Sequence, residues 1–389
     1  MPVANALPNS TSILHPYAPE AGIELTRALH GLHPLFACVI AWTDTALIPG
    51  LSAAGASTEL IPYTAAADAE VLRHGTARCI NGVPCNPAGP PGPAIITRAA
   101  LELGNIRHVI INAGCRVLPD VDYVNLSQEP GGNIAHGGAV PNAVEIFHAG
   151  RDLGRALADE HDYLVIGESV PGGTTTALAL LLALGIAADG RVSSSLAGNA
   201  HGLKSQMAGD ALAHLDRSAV DANPLAAVAT LGDPMQAAVA GMVAGAAEAD
   251  RPVLLAGGTQ MIAVMALLRR LAERKMIQVP RRIGVATTRW VVEDPTADAI
   301  GLMRDVSPDP LLTTALSFHS SPHAGLRLYE SNLVKEGVGA GGAAVAAALA
   351  ADVSSQTLAA RVEEIYVAMQ SADAGELPLG RTFTAGAAR

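Results

Sequence analysis

Five short apolar runs punctuate the chain: LFACVIAW (35–42), HVIINAG (108–114), YLVIG (163–167), PVLLAGG (252–258) and RIGVATT (282–288). They have strand length, are mostly rich in Val, Ile or Leu, and lack the polar alternation of a strand with one wet face. That pattern predicts strands buried on both sides. Between the runs lie alanine-rich stretches of helical length. PNAVEIFHAGRDLGRALADE (141–160) opens on a proline and spaces its apolar residues as one helix face. TQMIAVMALLRRLAERK (259–275) has the same spacing and ends in basic residues, which favour a helix C-terminus.

Strand and helix alternate for most of the chain, so the expected fold is α/β: a doubly wound, mostly parallel, Rossmann-like sheet. Ligands of such sheets bind beyond the carboxyl ends of the strands. Asp44, Gly167–Thr176, Gly257–Gln260 and Thr287–Arg289 would all project there, and four polar clusters on one edge make a site. Residues 35–342 are expected to form this large nucleotide-binding domain. The flanking segments 1–34 and 343–389 are expected to pack together as a small helical cap. NGVPCNPAGPPGPAI (81–95) is a proline-rich loop through which no packed element can run, either a lid or a plain connection.

Two glycine-rich stretches carry the candidate chemistry. The first is GESVPGGTTTALALLL (167–182), where an apolar run meets a turn and three threonines lead into a helix. Gly167, four residues, then Gly172, Gly173 and Thr174 is a P-loop spelling with glycine in the lysine position. Triphosphate hydrolysis would lack its main positive charge there. A glycine turn between strand and helix still exposes backbone N–H groups at the positive end of a helix dipole, which suits one phosphate. The bland alternative is a tight connection needing glycine only for its backbone angles. Three threonines and Glu168 are more polar than such a turn requires.

The second stretch is YESNLVKEGVGAGGAAVAAAL (329–349). Glu336 precedes glycines 337, 339, 341 and 342, each costing about 1 kcal/mol in a helix relative to alanine. Their density points to close backbone packing or to ligand approach. Glu336 is either a catalytic base or a helix-start carboxylate that merely suits the dipole.

Composition narrows the classes. Half of the 389 residues are hydrophobic but only 3% aromatic, so Ala, Val, Leu and Ile must build the core. A net charge of −11 argues against nonspecific nucleic-acid or anionic-membrane binding. Cys79 and Cys85 are separated by five residues, which fits no common zinc spacing, and with Cys38 and Cys115 they read as small core or loop residues of a reducing compartment. MPVANALPNS has no basic segment followed by an apolar core, and 337–351 is too short to span a bilayer. The expectation is a cytoplasmic protein without a metal or cofactor.

Together, GESVPGGTTTALALLLALG (167–185) and KEGVGAGGAAVAAAL (335–349) resemble the nicotinate-nucleotide–dimethylbenzimidazole phosphoribosyltransferase family. The likeness is greatest to its divergent archaeal and cyanobacterial branch. IAWTDT (40–45), GDPMQAAVAGMVAGAA (232–247) and RPVLLAGGTQM (251–261) support it, so it runs from about residue 35 to 350. The resemblance implies transfer of the phosphoribosyl group of nicotinate mononucleotide to 5,6-dimethylbenzimidazole, giving nicotinate and the α-ribazole 5′-phosphate used for the lower ligand of cobalamin. It assigns the general base that takes the acceptor's N–H proton to Glu336, and the phosphate to the turn of Gly172, Gly173, Thr174 and Thr175. Lys204, in SSSLAGNAHGLKSQ (193–206), is a candidate second phosphate contact or a surface lysine. Glu168 binds ribose hydroxyls or starts the helix, and Asp44 orients a ribose or ends a strand. Thr287 and Thr288 match a family loop near the nucleotide. The family is typically homodimeric.

This chain departs from the family's better-known bacterial pattern G-E-x-G-I-G-N-T-T, having Pro171 and Gly173 there and no asparagine. The polar residues that surround the acceptor in those members also have no match, which leaves adenine or another benzimidazole open as acceptor. Two other classes fit the turn less well. A phosphate-ester hydrolase would want a metal or a nucleophile beside the phosphate. A non-catalytic nucleotide- or base-binding protein would need no Glu336.

Overall fold

The computed structural model describes residues 12–195 and 198–375; the outer parts of the two segments expected as a cap, 1–11 and 376–389, lie outside them. All five apolar runs are strands: β2 (Pro34–Ile40), β3 (Arg107–Asn112), β5 (Tyr163–Ser169), β6 (Val253–Ala256) and β7 (Ile283–Thr287). Three more complete the sheet, β1 (Ile13–Tyr17), β4 (Val124–Asn125) and β8 (Leu311–Thr314). The order is β1-β8-β7-β6-β5-β2-β3-β4, and every pairing is parallel except the antiparallel one of β1 with β8.

The absence of polar alternation now has its cause. Along β2, Leu35, Ala37 and Val39 enter one core while Phe36, Cys38 and Ile40 enter another across the sheet. β6 divides the same way, Val253 and Leu255 from Leu254 and Ala256. Successive side chains leave a strand on opposite faces, so a sheet covered twice needs apolar residues at every position. The expected helices form at Ala143–Glu160 and Thr259–Glu273. Among the described residues no helix is long and apolar enough to cross a membrane.

The ends of the chain differ in part from a cap. Ile13–Tyr17 is the edge strand of the sheet, and Pro19–Leu29 is a helix whose Leu25 and Leu29 are buried. The Ala340–Ala351 helix lies in the main core, with all its residues from Ala340 to Leu349 buried. Ser355–Gly375 is a helix that packs on the Ala94–Leu103 helix. The proline-rich loop contains no helix before Ala94; it is pinched by a bridge between Cys85 and Pro91.

Candidate active site

β2 and β5 are neighbours, yet the chain continues from β2 outward to β3 and from β5 outward to β6 in the other direction. A crevice opens at the carboxyl ends of strands where the winding reverses in this way. Here it is a cleft of about 710 Å³, open mouth included, lined by Glu168, Gly172, Gly173, Thr174, Gln260 and Glu336 among others. A recess of about 340 Å³ adjoins it, bounded by Ser193–Ser195, Gly258–Gln260, Thr174 and Lys335.

β5 supplies the first wall. It ends at Ser169, and Gly172 then caps the Gly173–Ala183 helix with φ of 80°, a left-handed conformation that glycine adopts without penalty. Gly173 is small for a different reason. A Cβ there would stand 2.1 Å from the side-chain nitrogen of Gln260, which donates to Glu168 Oε2 at 2.8 Å. The residue that breaks the P-loop spelling thus makes room for the partner of Glu168. Thr174 faces the cleft. Thr175 is buried with its hydroxyl unpaired among the described residues, and Thr176 turns inward to donate to Asp233 at 2.5 Å.

Glu336 supplies the second wall, and the glycines after it pack against backbone. A Cβ on Gly341 would lie 1.9 Å from the carbonyl carbon of Thr287, and one on Gly342 would lie 2.2 Å from the Ala256 Cβ. This approach seats Glu336 at the mouth of the Ala340–Ala351 helix. Its Oε2 accepts from the Thr287 hydroxyl at 3.0 Å and the Thr288 N–H at 2.8 Å. Its Oε1 accepts from the Gly337 N–H at 3.1 Å, and the Gly341 N–H lies 3.3 Å from both oxygens. Burial raises the pKa of Glu336 above the ordinary carboxylate value, while these donors pull it back. Thr287 and Thr288 therefore hold Glu336; the Thr288 hydroxyl donates to the Lys335 carbonyl.

Glu168 is in a harsher setting. Burial pushes its carboxyl well above the usual range, the nearby Asp233 and Glu336 add to this, and the Gln260 amide opposes it. Asp68, absent from the sequence reading, is a third cleft carboxyl, and burial raises its pKa to about 7. Asp233 is buried behind the cleft, raised to about 6 by burial, and closes a capping box with Gln236. The visible signal for Asp68 was an acid among alanines, two residues before Glu70, in TAAADAEV (64–71).

Five of the sequence-selected residues lie outside the lining of the cleft: Thr175, Thr287, Thr288, Lys204 and Asp44. Lys204 is fully buried, with its ammonium donating to Asn199 Oδ1 at 2.5 Å; burial lowers its pKa to about 8. It is not a surface lysine. The cation that lines the recess is Lys335, whose Nζ donates to Asp294 at 2.6 Å and to the Ser194 carbonyl at 2.6 Å. Asp44 belongs to the turn after β2. Its carboxylate accepts from the Trp42 indole at 2.7 Å and from Arg116 at 2.8 Å.

Comparison with known proteins gives this geometry a class. The family profile described as phosphoribosyltransferase matches residues 93–276. The fold is shared with nicotinate-nucleotide–dimethylbenzimidazole phosphoribosyltransferase from Thermus thermophilus, at a TM-score of 0.57 and 19% identity over 90% of this chain and 89% of that one. A structure of CobT from the same organism gives 0.56 and 20%, covering 90% of each chain. Among curated proteins, a UPF0284 protein of Gloeobacter violaceus is 48% identical over 90% of this chain and 92% of its own. One from Methanothermobacter thermautotrophicus is 42% identical over 85% of this chain and 92% of its own. The fold is thus α/β, and residues 93–276 are similar to the phosphoribosyltransferase profile. The chain belongs to the UPF0284 family.

Proposed function

We propose that this protein transfers the phosphoribosyl group of nicotinate mononucleotide to 5,6-dimethylbenzimidazole or a related bicyclic base, with Glu336 as the general base. The observation that carries the reading is the shared cleft: a helix-mouth carboxylate and a glycine turn at a second helix N-terminus face one another across it. The phosphate lies at the turn of Gly172–Thr174 and the adjoining recess. Both the Gly173–Ala183 and the Thr259–Glu273 helices begin there, and helix N-termini favour an anion. Lys335 is close to that recess, with Asp294 offsetting its charge.

In the reaction, the bond from C1′ to the nicotinate nitrogen breaks and its electron pair neutralises the cationic ring. The acceptor's ring nitrogen forms the new bond to C1′ from the opposite face, inverting β to α. The acceptor's N–H proton passes to Glu336. Holding donor and acceptor in line supplies much of the rate. Burial and the four donors act in opposite directions on Glu336, and the net upward shift brings it nearer to working pH, where a general base is most effective. In this reading Glu168, its acidity weakened by burial, hydrogen-bonds ribose hydroxyls.

Glu336→Gln keeps the shape and the acceptor oxygen but cannot take the proton. Its kcat is expected to fall by roughly 10²- to 10⁴-fold with the KM for nicotinate mononucleotide little changed. Steady-state kinetics on both proteins would decide; an undiminished kcat removes Glu336 from the chemistry.

A further inference from the structure

Beside the cleft lies a second cavity of about 640 Å³, walled by Leu60, Ala67, Ile80, Val83 and Pro84. The two spaces share Thr64, Asp68, Asn86 and Pro93, which form the passage between them. The inner walls are apolar, but the passage is not. Thr64 and Asp68 sit one turn apart on the Thr64–His74 helix, and residues so spaced share a helix face.

Both present polar atoms that the protein leaves unused. The Thr64 hydroxyl is buried with no hydrogen-bond partner among the described residues. Asp68 is 5% exposed, and its Oδ2 accepts from the Ser169 hydroxyl at 2.7 Å. Its Oδ1 has no donor among the described residues and lies 3.8 Å from where a Cβ on cavity-lining Gly92 would stand, so it looks toward the cavity. Ser169 directly follows Glu168 on β5, which ties Asp68 to the strand that carries the site.

A bicyclic base with its reacting nitrogen in the cleft and its six-membered ring in the passage would lie against these two groups. Buried polar atoms without partners are costly, whereas a ligand group that pairs with them is favoured. Of the position next to the reacting nitrogen, 5,6-dimethylbenzimidazole offers a C–H. An aminopurine offers an amino group that donates to a carboxylate and a ring nitrogen that accepts from a hydroxyl.

We propose that Asp68 and Thr64 determine acceptor specificity, selecting a bicyclic base that carries an amino group on its six-membered ring, an aminopurine, over 5,6-dimethylbenzimidazole. This rests on the transferase reading and names the acceptor class for the same site. The apolar cavity beyond takes the far edge of the ring. The proline-rich loop, which supplies Val83, Pro84 and Asn86, forms one wall of the acceptor pocket.

The test is a competition. Wild type, Thr64→Val and Asp68→Ala receive nicotinate mononucleotide with equimolar adenine and 5,6-dimethylbenzimidazole, and the two products are resolved by chromatography. Wild type is expected to favour adenine by at least about tenfold in kcat/KM, and each variant to move the ratio toward dimethylbenzimidazole by a similar factor. A wild type that favours dimethylbenzimidazole, or variants with an unmoved ratio, would overturn the proposal. Calorimetric titration with each base alone reads the same preference without turnover. Adenine preference that depends on Asp68 in the absence of transfer would sink the reaction and leave the recognition standing. Thr64→Val is nearly isosteric, so its result stands even if Asp68→Ala fails to fold.

Discussion

Gly173 shows how a single position misleads and then informs. Its place in the P-loop spelling is that of a lysine, and the sequence alone registers only a missing charge. The structure adds the neighbour that explains it, the Gln260 amide bound to Glu168. Because that amide is the end of a flexible side chain, Gly173→Ala should fold while displacing Gln260. Expected are a melting point lowered by a loss of about 1 kcal/mol and a much larger fall in kcat/KM; proportionate losses in both would contradict this. Asp68 makes a pH prediction. Its carboxyl titrates near pH 7 in the folded protein and near 3.8 otherwise, with burial as the main cause. As pH rises through that interval the unfolded chain releases the proton before the folded one does, so Asp68 lowers stability progressively and the loss persists above it. Asp68→Asn should therefore gain stability over wild type at pH 8 relative to pH 5, by a few kcal/mol. Thermal unfolding at both values measures it, and an equal gap at the two would refute the assignment.

At the scale of elements, strands buried on both faces were legible because each contains a run of consecutive apolar residues without polar alternation. β1 was not. ILHPY contains Pro16 and His15, and a proline is tolerated there because β1 is an edge strand with an irregular register between Leu14 and Tyr17. β8 has only four residues, two of them threonines, too short a run to stand out. Glycines 337, 339, 341 and 342 were read as close packing or ligand approach, and Gly341 and Gly342 show close packing, a device the sequence reading did not extend to other helices. Gly150 and Gly154 in the Ala143–Glu160 helix meet the backbone of Pro234–Glu248, whose own Gly241 and Gly245 meet the first helix in return. The Ala340–Ala351 helix uses Gly341 and Gly342 similarly to press against β7 and β6. Gly341→Ala would force a methyl into the Thr287 backbone, which has no flexible end to give. It should destabilise the fold by roughly 1–3 kcal/mol and loosen the donors around Glu336, lowering kcat as well. Denaturant unfolding alongside kinetics would show both losses; a stable, fully active variant would contradict the packing described.

At the scale of the molecule, the doubly wound sheet places its switch point between β2 and β5, and the cleft follows from that order. Four polar clusters at strand ends were visible before the strand order was. Gly167–Thr176 and Gly257–Gln260 contribute to the lining of the cleft and its recess, Thr287–Arg289 reaches it only through the bonds of Thr287 and Thr288 to Glu336, and Asp44 engages Trp42 and Arg116. The acceptor side was illegible because Thr64, Asp68 and Asn86 come from a helix and a loop that meet only in three dimensions. The most direct measurement is an end-point assay of the purified wild-type protein with nicotinate mononucleotide and, in separate reactions, 5,6-dimethylbenzimidazole and adenine. Free nicotinate and an equal amount of an α-linked nucleotide of the added base are the expected products. Nicotinate mononucleotide recovered intact with both bases, or ribosyl phosphate released without attachment to either, would contradict the account.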